Sequence, residues 1–511
     1  MSQILVNDLT FGYDGSSDNV FENVSFSIDT DWKLGFIGRN GKGKTTFLSV
    51  LMGRYSYSGT ITASVGFSAF PCAVSKEQAQ RPASEFLPEL YPYCEEWRMI
   101  CELSQLGETA EILYRPFNTL SHGERTKILL ALLFSCGEQF RLIDEPTNHL
   151  DESSREKVKE YLTGKNGFIL VSHDRDLLDA CTDHVLVLNR KSIDVQNGNF
   201  SVWWENKQRR DSFAEAENEK HRKEIKKLRQ AARQTAEWAD RNERTKIGFD
   251  PVKENDRCIS TRSYIGAKTK KMQSRVKQME KRIDRNIARQ EGLLSDIERV
   301  AELKLTPLVH HKKTIVDFRD FTVTYGSSDK PVFSPLTFSV QLGERVALHG
   351  TNGCGKSTLI KAVLSHSGYA REPVHFTEKG TCETASGLII SYIDQDTSRL
   401  RGSVASLCEE RGLELSMLCT ILRQLGTERS QLTKNMEDFS EGQKKKPLIA
   451  ASLLTPAHLY IWDEPLNYID VFSRMQIEEL LKRYSPTMLF VEHDTRFREE
   501  IATKTISFGD K

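Results

Sequence analysis

No stretch of this 511-residue chain approaches 18 consecutive apolar residues, so no helix able to cross a membrane is expected. An excess of one charge is also missing: 71 lysines and arginines face 71 aspartates and glutamates. That balance excludes a globally basic nucleic-acid coat, though not a local basic patch. The opening residues, Met1 to Asn7, lack a positive region followed by an apolar run, so no secretory signal is expected. The ten cysteines, scattered from Cys72 to Cys419, form no C-x-x-C pair and no Cys/His cluster at metal spacing. They read as reduced thiols of a cytoplasmic protein, and they cannot build a zinc or iron–sulfur centre. At ~100–200 residues per domain the length implies two to four domains, each with its own core.

What is present is written twice. GRNGKGKTT (Gly38 to Thr46) recurs as GTNGCGKST (Gly350 to Thr358), RLIDEPTNHLD (Arg141 to Asp151) as YIWDEPLNYID (Tyr460 to Asp470), and VSHDRD (Val171 to Asp176) as VEHDTR (Val491 to Arg496). Motifs repeated in one order at nearly constant offset, 312 to 320 residues, mark a duplicated domain, and the period is too long for a solenoid. WKLGFIG and RVALHG are short apolar runs ending in glycine, as expected of buried strands before a phosphate loop. TTFLSVLMG and STLIKAVLS then read as helices, and RLIDE, GFILVS, LYIWDE and TMLFVE as further buried strands. ILVNDLTFGY and TIVDFRDFTVTYG alternate apolar and polar residues and read as antiparallel edge strands. Each copy is therefore α/β with a largely parallel core. The boundaries expected are 1–204, 205–302 and 303–511.

The middle segment differs in kind. Glu205 to Val300 holds 26 lysines and arginines against 17 aspartates and glutamates, a net of +9. Ile225, Leu228, Ala232, Thr235 and Ala239 form one apolar seam, and Met272, Val276, Met279, Ile283, Ile287, Leu294 and Ile297 another. Gly248, Pro251 and Gly266 interrupt the pattern between them. The economical reading is two antiparallel helices of ~35–40 residues, each about 50–60 Å long, with a loop near 246–265.

The chemistry follows from residue types. In G-x-x-x-x-G-K-[ST] loops, glycines let backbone N–H groups turn inward around phosphate oxygens. Gly38, Asn40, Gly41 and Gly43 precede Lys44, Thr45 and Thr46; Gly350, Asn352, Gly353 and Gly355 precede Lys356, Ser357 and Thr358. The lysines meet β- and γ-phosphates, and the hydroxyls of Thr45 and Ser357 suit Mg²⁺. Asp144 and Asp463 end buried strands and suit the metal's water shell. Glu145 and Glu464 follow at once, placed to act as general bases on an attacking water. His173 and His493 close later strands and are placed to reach the γ-phosphate. FNTLSHGERTK (Phe117 to Lys127) and MEDFSEGQKKK (Met436 to Lys446) each set a small polar residue and a glycine before a helix; alone, either is equally an anion site or an ordinary cap.

Together these motifs resemble the ATP-binding cassette (ABC) ATPases over roughly 400 residues. The resemblance implies two tandem phosphate-loop α/β domains joined by a long two-helix antiparallel coiled-coil linker. It implies a head-to-tail ATP sandwich within a monomer: Lys44, Glu145 and His173 with Ser440 and Gly442, and Lys356, Glu464 and His493 with Ser121 and Gly123. Tyr13 and Tyr325 match the family's adenine-stacking aromatics, and Gln395 its Q-loop glutamine, a metal and water contact. FSAFPCAV, around Phe70 to Val74, has no such glutamine, so slower hydrolysis is expected at the Lys44 site. SEGQ and EPLNYID also depart from the family pattern.

Lacking membrane segments, metal-site cysteines and a cassette split by a long coil, the chain looks like the ABC-F translation proteins, with a bacterial 70S ribosome as partner: its E site, large-subunit RNA and P-site tRNA. Phe249, Arg257, Arg262, Tyr264, Lys268, Lys270 and Lys271 mix rings and cations as irregular RNA contacts do. The short span between Phe70 and Ser121 and the stretch DEPLNYIDVFSRMQIEELL look like the Lsa/Vga/CplR-type resistance group, associated with lincosamides, pleuromutilins and streptogramin A. A housekeeping factor for stalled ribosomes and the ATPase subunit of a drug exporter are the alternatives.

Overall fold

The structure, a computed structural model, describes residues 2–508 except 14–18, 92–93, 138, 149, 190–191, 327–329, 352, 370–375, 428–430 and most of 245–303. It divides into two compact units: Met1–Trp203 with Ala301–Lys511, and Trp204–Val300.

The first unit holds two copies of one architecture. In the first copy a six-stranded sheet runs Gly66–Phe70, Gln139–Asp144, Phe168–Val171, Lys33–Ile37, His184–Leu188, Ile193–Asn197. All neighbours are parallel except the last pair. The second copy has the order Ile390–Ile393, Leu459–Asp463, Met488–Val491, Arg345–His349, Lys504–Ser507, parallel throughout. Helices cover these strands, so runs such as FILV, MLFV and LYIWD are buried on both faces. Parallel pairing has a consequence for chemistry. The strands ending at Ile37, Asp144 and Val171 are neighbours, and so are those ending at His349, Asp463 and Val491. Their carboxyl ends deliver the phosphate loop, the carboxylates and the histidine to one edge of each sheet.

The two alternating strands correct the expectation of an edge position. Gln3–Phe11 lies in the middle of a separate three-stranded antiparallel sheet, between Phe21–Asp29 and Ser58–Ala63. Thr314–Tyr325 likewise lies between Leu336–Gln341 and Phe376–Thr384. Alternation reports that one face of a strand is wet; it carries no information on how many of its edges are paired. Each central strand shifts register beside a residue in the left-handed region, Asp8 (φ 49°) and Asp320 (φ 48°).

The helix Phe200–Arg244 has 45 residues, about 68 Å at ~1.5 Å per residue. Its start is anchored by buried Phe200 and Trp203, and Ile225 is buried farther along it. The side chains of Leu228, Ala232, Thr235 and Ala239, the second seam and the 246–265 segment lie outside the described residues.

A backbone carbonyl packs against the glycine opposite each register shift. A Cβ on Gly59 (φ +102°) would stand 2.5 Å from Asp8 O, and one on Gly380 (φ +88°) 2.3 Å from Asp320 O. Gly59→Ala or Gly380→Ala is expected to cost about 1–3 kcal/mol, seen as a lowered thermal midpoint. Gly137→Ala, where a Cβ meets nothing within 4 Å, should leave the midpoint nearly unchanged.

Candidate functional site

Each phosphate loop ends at a glycine that also caps a helix. Gly43 (φ 104°) precedes Lys44–Leu51, and Gly355 (φ 106°) precedes Lys356–His366. A Cβ on either would stand 2.5 Å from Val20 Cγ1 or 2.6 Å from Phe333 Cδ1, so both conformation and space require glycine. Gly41 and Gly353 also have positive φ. The lysines fold back over their own loops. Lys44 Nζ donates to Gly38 O (2.6 Å) and Asn40 Oδ1 (3.1 Å), and Lys356 Nζ donates to Gly350 O (2.7 Å) and Thr351 O (2.9 Å). Burial pushes the Lys44 ammonium down, against the pull of Asp470, Glu145 and Asp144. A phosphate entering the loop supplies the anion this charge lacks.

Thr45 Oγ1 donates to Asp144 Oδ2 at 2.8 Å, and Ser357 is hydrogen-bonded to Asp463. Burial pushes Asp463 up to about 6, and its buried Oδ1 has no partner. A hydroxyl beside an under-satisfied carboxylate is a hard-oxygen donor set of the kind Mg²⁺ takes together with phosphate and water. Among the described residues no three His, Cys, Asp or Glu side chains form a ready cage. Tyr13 OH lies 2.6 Å from Thr46 Oγ1 and Tyr325 OH 3.2 Å from Thr358 Oγ1, so both half-exposed rings lean over their loops. Asn352 lies outside the described residues.

The two glutamates follow their strands in the left-handed region, φ 51° for Glu145 and 48° for Glu464, a costly backbone state that clusters at functional sites. Their surroundings differ sharply. Glu464 Oε2 accepts from Gln395 Nε2 and Asn467 Nδ2, each at 3.0 Å, and Oε1 lies 3.0 Å from His493 Nε2. Burial pushes this carboxyl up, but the His493 hydrogen bond and charge, with Lys356 and Lys445, hold it below its usual range. Among the described residues Glu145 has no such set of donors. Its Oε2 accepts only a long bond from His173 N (3.4 Å), and the buried Oε1 has no hydrogen bond, with His173 Nε2 at 3.3 Å. Burial, then Asp144, pushes Glu145 up to about 8. Burial and the charges of Lys44, Arg474 and Lys446 keep His173 neutral.

The first loop also touches the second copy. Asn40 Nδ2 donates to Tyr468 O at 2.7 Å, and a Cβ on Gly442 would stand 2.7 Å from Tyr468 Cβ. Gly442 and the first phosphate loop therefore share one neighbour. Ser121 and Ser440 are N-caps with full capping boxes, accepting from Glu124 N (3.2 Å) and Gln443 N (3.4 Å). Each keeps a hydroxyl hydrogen to donate. Around the second loop the copies are joined at Glu152, which takes two bonds from Arg498 (2.9 and 3.0 Å) and stands 3.3 Å from His349. Gly123 faces Ser154 and Leu150 of its own copy.

A family model described as ABC transporter matches residues 21–148 and 333–467, spanning both loops and both carboxylate pairs. The chain belongs to the ABC family. Among its relatives, the ribosome protection protein VmlR of Bacillus subtilis (strain 168) is 27% identical over 96% of this chain and 84% of its own. The probable ATP-binding protein YheS of Escherichia coli (strain K12) is 25% identical over 93% and 74%. An archaeal ribosome recycling factor, solved with a ribosomal stalk protein, shares the fold at 18% identity, with a TM-score of 0.58, over 99% of this chain and 88% of that one. With two cassettes and these relatives, this is an ABC-F protein and an ATPase.

Reasoning from sequence missed Asn467, Tyr468, Arg474 and Lys445. Asn467 and Arg474 were detectable as repeated polar positions, in EPTN and EPLN and in DESSR and DVFSR; Tyr468 and Lys445 had no such signal. Phe249, Arg257, Arg262, Tyr264, Lys268, Lys270 and Lys271 lie outside the described residues.

A base pushed up to about 8 is mostly protonated at neutral pH, and its active fraction rises with pH. With Glu464→Gln, the remaining kcat/KM for ATP is expected to rise roughly tenfold between pH 7 and 9. With Glu145→Gln it should stay nearly flat over that range, as a steady-state pH series would show.

Proposed function

We propose that this ABC-F ATPase is a cytoplasmic ribosome-binding protein that protects the large subunit from lincosamide, pleuromutilin and streptogramin A antibiotics, acting from the E site. Likeness over nearly the whole chain to a ribosome protection protein carries this reading. The basic segment 205–302, between cassettes 1–204 and 303–511, supports it: the net +9 of its residues 205–300 suits RNA phosphate, and the cation–aromatic mix of Phe249, Arg257, Arg262, Tyr264, Lys268, Lys270 and Lys271 suits unpaired RNA near the P-site tRNA.

In this mechanism two ATP molecules bind between the cassettes, one over Lys44 facing Ser440 and Gly442, the other over Lys356 facing Ser121 and Gly123. Tyr13 and Tyr325 stack on adenine. Thr45 with Asp144, and Ser357 with Asp463 and Gln395, hold Mg²⁺, which when bound offsets charge on the phosphates. Glu464, ionised and aimed by Gln395, Asn467 and His493, takes the proton of the attacking water. Glu145 does so more slowly, because it must first lose its own proton. The ATP-bound sandwich favours the ribosome-bound state, and hydrolysis releases it. Drug affinity then falls by linkage between two ribosome states, and a tenfold fall needs only ~1.4 kcal/mol.

Glu145→Gln with Glu464→Gln removes both bases and keeps the nucleotide contacts. The double variant is expected to accumulate on ribosomes in ATP during sedimentation, while the wild type cycles off. Expression of the wild type in a susceptible bacterium should raise inhibitory concentrations for these drug classes. Unchanged susceptibility to every ribosome-targeting drug, with ATP-dependent ribosome binding retained, would favour the housekeeping reading.

A further inference from the structure

Lys445 lies in the second cassette's signature helix, Glu441–Leu454, in a run of three lysines that reads as a solvated surface. It is 4% exposed. Its Nζ donates to Gln395 O (3.0 Å), Glu464 O (3.2 Å) and, more weakly, Asp394 O (3.5 Å). One ammonium thus joins three elements: the signature helix, the segment carrying the Q-loop glutamine, and the backbone of Glu464 in its left-handed state. The side chains of the last two meet in turn at 3.0 Å, Gln395 Nε2 to Glu464 Oε2. Aligning FSEGQKKK with LSHGERTK places Thr126 opposite Lys445. Threonine is too short to span such a gap, and the first cassette also lacks the Q-loop glutamine and the ionised glutamate.

From this geometry we infer that Lys445 is a positioning residue for hydrolysis at the second cassette, holding the Q-loop and the Glu464 backbone in the one arrangement that aims the carboxylate. Gly442, one turn earlier on the same helix, abuts Tyr468, whose carbonyl accepts from Asn40 of the first phosphate loop. Lys445 therefore also links the wall of one nucleotide site to the base of the other. The inference rests on Glu464 acting as the general base.

A split between kcat and KM gives a readout that a passive strut would not move, because the ammonium's bonds run to Gln395 O and Glu464 O and not to the phosphate loop. The test uses the full chain carrying Glu145→Gln, so that turnover reports the second site. Lys445→Met and Lys445→Gln are compared with that parent for kcat, KM for ATP and thermal midpoint. Lys445→Met is expected to lower kcat at least tenfold with KM within twofold. Lys445→Gln, which still donates a hydrogen bond, should keep more of kcat. If Lys445→Met folds poorly, Lys445→Gln carries the same kcat-against-KM test. A parental kcat, or a loss matching only the loss of folded protein, would overturn the inference. Glu464→Gln separates the two levels: if it leaves turnover intact in the same background, the general-base reading fails, whereas loss there with a silent Lys445 retires the positioning role alone.

Discussion

An ammonium group inside a protein must be met by an anion or by a dense set of acceptors, and this constraint organises both cassettes. Lys44 and Lys356 are each more than nine-tenths buried, and each is held by carbonyl oxygens of its own loop. Carbonyls solvate the charge without neutralising it. The glycines with positive φ let the loop close on the lysine, and the parallel strands beside it bring carboxylates within range to share the field. A triphosphate fits this setting because it supplies the missing charge and leaves the loop N–H groups to bind its oxygens.

The second cassette completes the arrangement for the first. Asp470 pulls on Lys44, Arg474 on Glu145, and the Tyr468 carbonyl accepts from Asn40, so the first site's electrostatics belong partly to the other half of the chain. Duplication has not produced equal sites. Three side chains converge on Glu464, whereas Glu145 stays buried beside Asp144 with an oxygen unpaired. The difference traces to few residues: a glutamine at 395 with no counterpart around Phe70 to Val74, and Lys445 in place of Thr126.

Much of this was legible in the chain because it depends on local rules. Glycine spacing, short apolar strands and the residues that end them fix the phosphate loops and the carboxylates without reference to distant contacts. The central place of Gln3–Phe11 and Thr314–Tyr325 was not legible, since alternation reports a wet face and not the number of paired edges. The burial of Lys445 and Lys446 was hidden in a run of three lysines, because only the tertiary fold turns two of them inward. The protonation of Glu145 was hidden for another reason: it comes from burial and from the neighbouring Asp144, and only the tertiary fold sets how deeply that pair is buried.

The proposed sandwich has each nucleotide held by both cassettes, and a structure of the Glu145→Gln, Glu464→Gln chain with ATP and Mg²⁺ would show it. One triphosphate is expected between Lys44 and the helix start at Ser440 and Gly442, and another between Lys356 and the helix start at Ser121 and Gly123. Triphosphates enclosed by a single cassette, with the opposite serine and glycine more than a water's width away, would contradict it.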